Sequence, residues 1–133
     1  MREPSVGIII PSLVGTKDYE GFQIPDEPES DLSQFFDSSI AFIEKHLSEE
    51  RKVLVHCLEG ISRSTTIVAA HLIRNSLAFA ERKHKISDAE AIKMIEEKRS
   101  IINPNPGFRE QLRNFYLLRT LTNHEYDDLE LID

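Results

Sequence analysis

The segment Lys52-Val-Leu-Val-His-Cys-Leu-Glu-Gly-Ile-Ser-Arg-Ser64 decides the fold, because it joins a short apolar run to a loop that opens a helix. Lys52–His56 is β-branched and apolar, which is typical of a central strand buried on both faces. Residues Ser64 to Ala80 are largely apolar and predict a long helix. A strand, a loop and a helix in this order predict a domain with α/β architecture.

The loop in this segment has the composition of an anion-binding site. Its backbone N–H groups and the first amides of the next helix lack partners within the helix, so they can converge on phosphate. Gly60 allows a tight turn, and Arg63 can donate two parallel hydrogen bonds to phosphate oxygens. The same positive field favours the nucleophilic thiolate form of Cys57. A thiolate beneath a bound phosphate is suited to in-line attack on phosphorus, with a phosphocysteine intermediate.

Cys57 is the only cysteine among the 133 residues. It cannot form an internal disulfide, and it cannot by itself build a thiolate metal site. Composition alone leaves two interpretations open, a small buried apolar residue or a working thiolate. The residues around Cys57 favour the thiolate.

The bulk composition is that of one soluble globular domain, with 40% hydrophobic and 29% charged residues. The longest apolar runs are far shorter than the ~20 residues of a membrane helix, and the N-terminus lacks a signal-peptide pattern. We therefore expect a cytoplasmic protein, with the nucleus as a further compartment. Neither a membrane nor a nucleic acid is an expected partner, since the formal net charge is −7.

This negative charge is concentrated at the C-terminus, where five acidic residues and no Lys or Arg follow Asn123. The remainder of the chain is nearly neutral. The sequence therefore predicts a catalytic domain over residues 1–122 and an acidic tail over residues 123–133, which we expect to be a solvated extension.

Periodicity predicts the other elements. Val6–Pro11 and Tyr19–Ile24 have the pattern of short strands, and Asp31 can cap a helix that ends near Ser48–Arg51. Ser87 has capping-box spacing to Glu90, which predicts another helix before the last one. The apolar residues expected in the core are Leu32, Phe35, Phe36, Ile40, Ile43 and Leu47 in the first helix, and Phe108, Leu112, Phe115, Tyr116, Leu118 and Leu121 in the last.

The string His-Cys-Leu-Glu-Gly-Ile-Ser-Arg-Ser64 resembles the H-C-x-x-G-x-S-R-S signature of the dual-specificity subgroup of protein tyrosine phosphatases. The resemblance extends from about Tyr19 to Leu121. It includes Asp31-Leu-Ser-Gln-Phe-Phe36 before the signature and Arg99-Ser-Ile-Ile-Asn-Pro-Asn-Pro-Gly-Phe108 after it. Three motifs in the right order are far more specific than an isolated C-x-x-x-x-x-R.

The resemblance implies a set of catalytic residues. Cys57 is the nucleophile, Arg63 binds phosphate, and Asp26 in Ile24-Pro-Asp-Glu-Pro28 is the general acid on a mobile loop. Ser64 helps the thiolate leave, although it could also cap the helix, and Asp26 could instead be a turn former. The phosphate-binding loop comprises Leu58, Glu59, Gly60, Ile61, Ser62 and Arg63.

Two further residues are implied as supports for the site, and neither a cofactor nor a metal is implied. His56 supports the loop and the thiolate, with a satisfied histidine at a strand end as the alternative. Asn105 braces the phosphate loop.

The implied fold is that of the protein tyrosine phosphatases, an α/β fold with a central, mainly parallel sheet flanked by helices. Members of this family usually have an additional strand and helix before the region seen here. The N-terminal part is therefore expected to be shortened, either in a minimal domain or in a truncated one whose sheet edge can pair with another chain.

The implied function is hydrolysis of phosphotyrosine and phosphoserine/threonine in a phosphoprotein substrate, such as a protein kinase. One alternative is a phosphoinositide or RNA 5′ phosphatase, which the absence of Lys from residues 58–62 disfavours. The other is a weakly active scaffold that binds phosphoresidues.

Overall fold

The computed structural model describes residues 5–9, 19–58, 61–79 and 85–132. The sheet contains strands β1 (Ser5–Ile9), β2 (Tyr19–Gln23) and β3 (Leu54–His56). A 3-10 helix (Leu32–Phe35) leads into α1 (Phe36–Ser48), and α2 (Arg63–Phe79), α3 (Asp88–Lys98) and α4 (Pro106–Ile132) follow β3. Both predicted N-terminal strands are present, although Ile10 and Pro11 of the first lie outside the described residues.

The described part of the sheet has the order β2-β1-β3, and both pairings are antiparallel. Ile8 at its centre pairs with Glu20 on one side and with Val55 on the other. The predicted mainly parallel sheet is therefore not found in this part of the chain. β1 lies in the middle, and the chain direction reverses between β1 and each of its neighbours.

β3 is an edge strand of the described sheet, which corrects the prediction of a central strand buried on both faces. Val53 and Val55 pack against the core, whereas Leu54 between them is 50% exposed. The run of apolar residues thus alternates between a buried and an open face.

Helix α2 lies at the centre of the helical layer and packs against α1, α3 and α4. Its residues Ile67, Ala69, Ala70 and Ile73 are fully buried. Phe36 of α1 meets Phe115 of α4 edge to face, with 5.1 Å between the ring centroids. Because α2 also contacts β3, this core fixes the junction between them, where Cys57 lies.

The sequence predicts side-chain caps at the starts of two helices, and the structure contains one of them. The capping box of α3 is confirmed, with Ser87 Oγ accepting from the Glu90 N–H and Glu90 Oε1 accepting from the Ser87 N–H, both at 3.2 Å. The cap predicted at Asp31 is wrong. Its carboxylate makes no bond to the helix backbone and instead accepts from the Ser33 hydroxyl, because a 3-10 turn precedes α1.

Helix α4 leaves the core after its third turn. Phe108, Leu112 and Phe115 are buried as predicted, but Leu118 and Leu121 are 62% and 65% exposed. Leu47 at the end of α1 is likewise exposed rather than in the core. The Arg119 guanidinium lies over the Phe115 ring, 3.6 Å from its centroid, and pairs with Asp37. These contacts cover the end of the core beside Phe115.

Helix α4 continues to Ile132. The boundary that the sequence predicts between residues 122 and 123 therefore lies within this helix. Within the described part of the chain, none of the helices combines the length and the apolar character needed to cross a bilayer.

Candidate active site

Cys57 follows β3 and faces the first turn of α2. The backbone N–H of Ser64 donates to its Sγ at 3.3 Å, and the Ser64 Oγ lies 3.2 Å from the same sulfur. Cys57 is a free, half-buried cysteine that packs against the core on one side. The sulfur is therefore held in one place by two polar groups of the adjacent helix.

The start of α2 supplies the electrostatic environment of this sulfur. Ser64 is the second residue of the helix, so its N–H has no carbonyl partner within α2 and is available to Sγ. The positive end of the helix dipole points the same way, toward the sulfur. The Cys57 Sγ thus lies at the positive end of α2.

Arg63 is the first residue of α2 and is only 4% exposed. One of its terminal nitrogens, Nη1, donates to the carbonyl oxygen of Ile24 at 3.1 Å. Ile24 lies two residues before Asp26, so this contact joins the start of α2 to the loop that carries the predicted acid.

Asp26 lies in an exposed loop between β2 and the 3-10 helix. Its Oδ1 accepts a hydrogen bond from the Asn105 Nδ2 at 2.8 Å. Sequence reasoning placed Asn105 beside the phosphate loop and missed this contact to the acid. The available signal was the position of Asn105 directly before Pro106, which predicts a helix cap whose side chain is fixed in direction.

Asn105 contacts the phosphate loop as well. Its backbone N–H donates to the Ser62 Oγ at 3.0 Å, and its Oδ1 accepts from the Phe108 N–H at 2.9 Å, which caps α4. Two residues earlier, the Asn103 N–H donates to the Ile61 carbonyl oxygen at 2.8 Å. The segment before α4 therefore bonds both to the acid and to the loop.

The loop residues that the structure describes differ in exposure. Ser62 is buried, and its carbonyl oxygen accepts from the Thr66 N–H at 3.0 Å and from the Thr66 hydroxyl at 2.7 Å. Leu58 beside the nucleophile is 64% exposed. Glu59 and Gly60 of the predicted phosphate-binding loop lie outside the described residues.

His56 is half-buried at the end of β3, and its ring centroid lies 6.4 Å from that of Tyr19. Its Nε2 is buried and makes no hydrogen bond to the described part of the chain.

A cavity of about 360 Å³ adjoins Cys57. The edge of β3 and the start of α2 form one part of its wall, and apolar side chains from Val68, Ile95 and Ile102 form much of the rest, beside Arg99. Neither Asp26 nor Arg63 lines it, so this cavity borders the thiol without enclosing the predicted phosphate position.

The known proteins that this chain resembles belong to one family. The family described as "Dual specificity phosphatase, catalytic domain" matches residues 10–117. The chain is 36% identical over 97 residues to dual specificity protein phosphatase 1B of Arabidopsis thaliana, covering 73% of this chain and 53% of the relative. It is 42% identical over 94 residues to the tyrosine-protein phosphatase yvh1 of Schizosaccharomyces pombe, covering 71% and 26%.

A human relative gives a similar result. Identity to dual specificity protein phosphatase 7 of Homo sapiens is 39% over 97 residues, covering 73% of this chain and 21% of the relative. The chain thus spans about half or less of the length of these relatives. Because the family match covers most of the chain, including Cys57, Arg63 and Asp26, this chain belongs to the dual specificity phosphatase catalytic domain family.

Proposed function

We propose that this protein hydrolyses phosphotyrosine and phosphoserine/threonine monoesters in proteins through a phosphocysteine intermediate. The observation that carries the proposal is the position of the Cys57 Sγ, 3.3 Å from the Ser64 N–H at the start of a helix whose first residue is Arg63. The printed names of the relatives, which include dual specificity and tyrosine phosphatases, support the same substrate class.

In the first step, the Cys57 thiolate attacks phosphorus and the bond from phosphorus to the substrate oxygen breaks. The Arg63 guanidinium and the backbone N–H groups of residues 58–63 hold the phosphoryl oxygens, where charge accumulates. Asp26 gives its proton to the departing oxygen, which leaves as a neutral hydroxyl. The products of this step are the dephosphorylated side chain and phosphocysteine.

In the second step, water attacks the phosphorus of phosphocysteine and the bond from phosphorus to Sγ breaks. The Asp26 carboxylate, now ionised, accepts a proton from this water. The Ser64 hydroxyl, 3.2 Å from Sγ, donates a hydrogen bond to the sulfur as its negative charge returns. Inorganic phosphate leaves, and both Cys57 and Asp26 regain their initial protonation states.

Asn105 and His56 support this site in the proposal without exchanging protons with the substrate. Asn105 holds Asp26 and Ser62 through separate groups. The exposed Leu58 side chain beside Cys57 offers apolar contact and adds no positive charge, which favours a phosphoprotein over a phosphoinositide or RNA.

The proposal is tested with the wild-type protein and Cys57→Ser on four substrates: phosphotyrosine peptides, phosphoserine/threonine peptides, phosphoinositides and triphosphorylated RNA. The wild type should release phosphate fastest from the peptides, and Cys57→Ser should bind the peptides without turnover. RNA or a phosphoinositide as the best substrate would overturn the protein-phosphatase assignment. A wild type that binds phosphopeptides without any turnover would favour a scaffold instead.

A further inference from the structure

The start of α4 holds the loop that carries Asp26, and we propose that Gln111 in this helix is a positioning residue for that acid. The inference rests on the proposed function, since it assigns Asp26 the role of proton donor. It goes beyond the residues of the signature loop, because Gln111 lies in the second turn of α4 and touches neither Cys57 nor Arg63 in the hydrogen bonds observed.

Gln111 makes two hydrogen bonds to the backbone that follows Asp26. Its Nε2 donates to the Ser30 carbonyl oxygen at 2.8 Å, and its Oε1 accepts from the Ser33 N–H at 2.9 Å. A side-chain amide can donate and accept at the same time, whereas an ionised carboxylate would offer no donor to the Ser30 carbonyl oxygen. These bonds fix both the position and the direction of the chain between Ser30 and Ser33.

Gly107 brings the same loop into direct contact with the first turn of α4. A Cβ atom at this position would lie 2.0 Å from the Pro28 carbonyl oxygen and 2.6 Å from the Pro28 Cα. No side chain fits there without moving the loop, so the absence of one permits the close approach. Pro28 is two residues after Asp26 in the chain.

Three residues at the start of α4 therefore contact four residues of the loop that carries Asp26 and of the 3-10 helix: Asn105 contacts Asp26, Gly107 contacts Pro28, and Gln111 contacts Ser30 and Ser33. The same helix end is bonded to the phosphate loop through the Asn105 N–H and the Ser62 Oγ. The position of Asp26 relative to the phosphate loop is thus influenced by α4.

The sequence predicts a mobile loop around Asp26, and the contacts with α4 lie at Asp26 and in the residues after it. Asp26 itself is exposed, and the loop from residue 24 to residue 31 contains turns and bends rather than a helix or strand. Its geometry depends on the contacts at its ends and on α4. Proton transfer to a leaving group requires placement to within a fraction of an ångström, so loss of the Gln111 bonds should act on catalysis through Asp26.

The experiment compares Gln111→Ala with Glu110→Ala, an exposed neighbour on the same helix, as the matched control. The substrates are phenyl phosphate, whose leaving group needs a proton, and p-nitrophenyl phosphate, whose leaving group needs one far less. Gln111→Ala should lower kcat/KM, which reports the first step, about tenfold or more for phenyl phosphate and less than about threefold for p-nitrophenyl phosphate. Equal losses for both substrates, or no loss, would overturn the inference.

A double-mutant cycle separates positioning from a general structural effect. In an Asp26→Asn background, Gln111→Ala should cause no further loss on phenyl phosphate, because the group that it positions is already absent. Losses that multiply would overturn the inference while leaving the proposed function intact. A wild type without phosphatase activity, or an Asp26→Asn variant with equal losses on both substrates, would instead overturn the proposed roles themselves.

Gly107→Ala gives a second, independent variant, since the added methyl group must displace Pro28. It should show the same selective loss on phenyl phosphate as Gln111→Ala. Thermal unfolding of each variant establishes that the measured protein is folded. Folded Gly107→Ala protein with wild-type activity on both substrates would contradict control of Asp26 by α4.

Discussion

Asn105 donates a hydrogen bond from its Nδ2 to the Oδ1 of Asp26 at 2.8 Å, across 79 positions of sequence. The backbone N–H of the same residue donates to the Ser62 Oγ in the phosphate loop. One residue therefore connects the proposed acid to the loop that carries the proposed nucleophile. The two halves of the site are thus connected through the start of α4, in addition to the direct bond from Arg63 to the Ile24 carbonyl oxygen.

Asn105→Ala should lower both stability and turnover, because it removes the cap on the Phe108 N–H and the bond to Asp26. We expect a stability loss of about 1 kcal/mol and a fall in kcat of about tenfold or more. Asn105→Asp is the matched variant, since it keeps the cap acceptor but sets a carboxylate against Asp26. It should lose less stability than Asn105→Ala in urea denaturation while losing as much activity. Full activity in Asn105→Asp would refute the role of this contact.

Asp26→Asn should reduce kcat/KM, which reports the first step, most for substrates with poor leaving groups. The amide cannot donate the proton that an alkoxide or phenoxide requires, so we expect a fall of about a hundredfold or more with phosphopeptides. With an activated aryl phosphate the fall should be much smaller. The test compares kcat/KM on the two substrates, and equal reductions would indicate a structural role for Asp26 in the first step.

Ser64→Ala should slow the second step more than the first, because it removes the hydroxyl that lies 3.2 Å from the departing sulfur. A hydrogen bond to a charged group contributes about 1.5–3 kcal/mol, which corresponds to about a tenfold or greater loss of rate. Rapid-mixing kinetics should then show a burst of product followed by slow turnover. Ser64→Thr, which keeps a hydroxyl, is the control. A slow reaction without a burst would count against this role.

Two leucines of α4 should differ sharply in their effect on stability. Leu112 is fully buried, so Leu112→Ala should lower the free energy of unfolding by about 2–5 kcal/mol. Leu118 is largely exposed, so Leu118→Ala should change it by less than about 0.5 kcal/mol. Urea denaturation of the two variants compares them directly. A large cost at Leu118 would place it in the core, as its sequence spacing suggested.

Features that depend on residues close together in the chain could be predicted from the sequence. The capping box at Ser87 and Glu90 was predictable because both partners lie within one turn. The start of α2 was predicted at Ser64, one residue after its observed start at Arg63, because a loop and an apolar run meet there. The family motif supplied Cys57, Arg63 and Asp26 as one set, which no periodicity could have joined.

Strand partners and side-chain contacts across the fold were not predictable in the same way. An apolar run such as Val53–Val55 does not reveal its neighbour, so the antiparallel pairing with β1 and the edge position of β3 were missed. The contact between Asn105 and Asp26, and the bonds of Gln111, depend on how α4 packs against the 3-10 helix and the loop before it. The apolar spacing in α4 predicted a buried Leu118, but this residue is exposed, and the Arg119 guanidinium covers the Phe115 ring.

The most direct test of the account is rapid acid quenching of the wild-type protein mixed with a 32P-labelled phosphotyrosine peptide, followed by mapping of the protein-bound label. The account predicts a transient covalent phosphoryl group on Cys57, whose amount rises in Ser64→Ala and which is absent from Cys57→Ser. Turnover by Cys57→Ser at the wild-type rate, or rapid wild-type turnover with no label on Cys57, would contradict it.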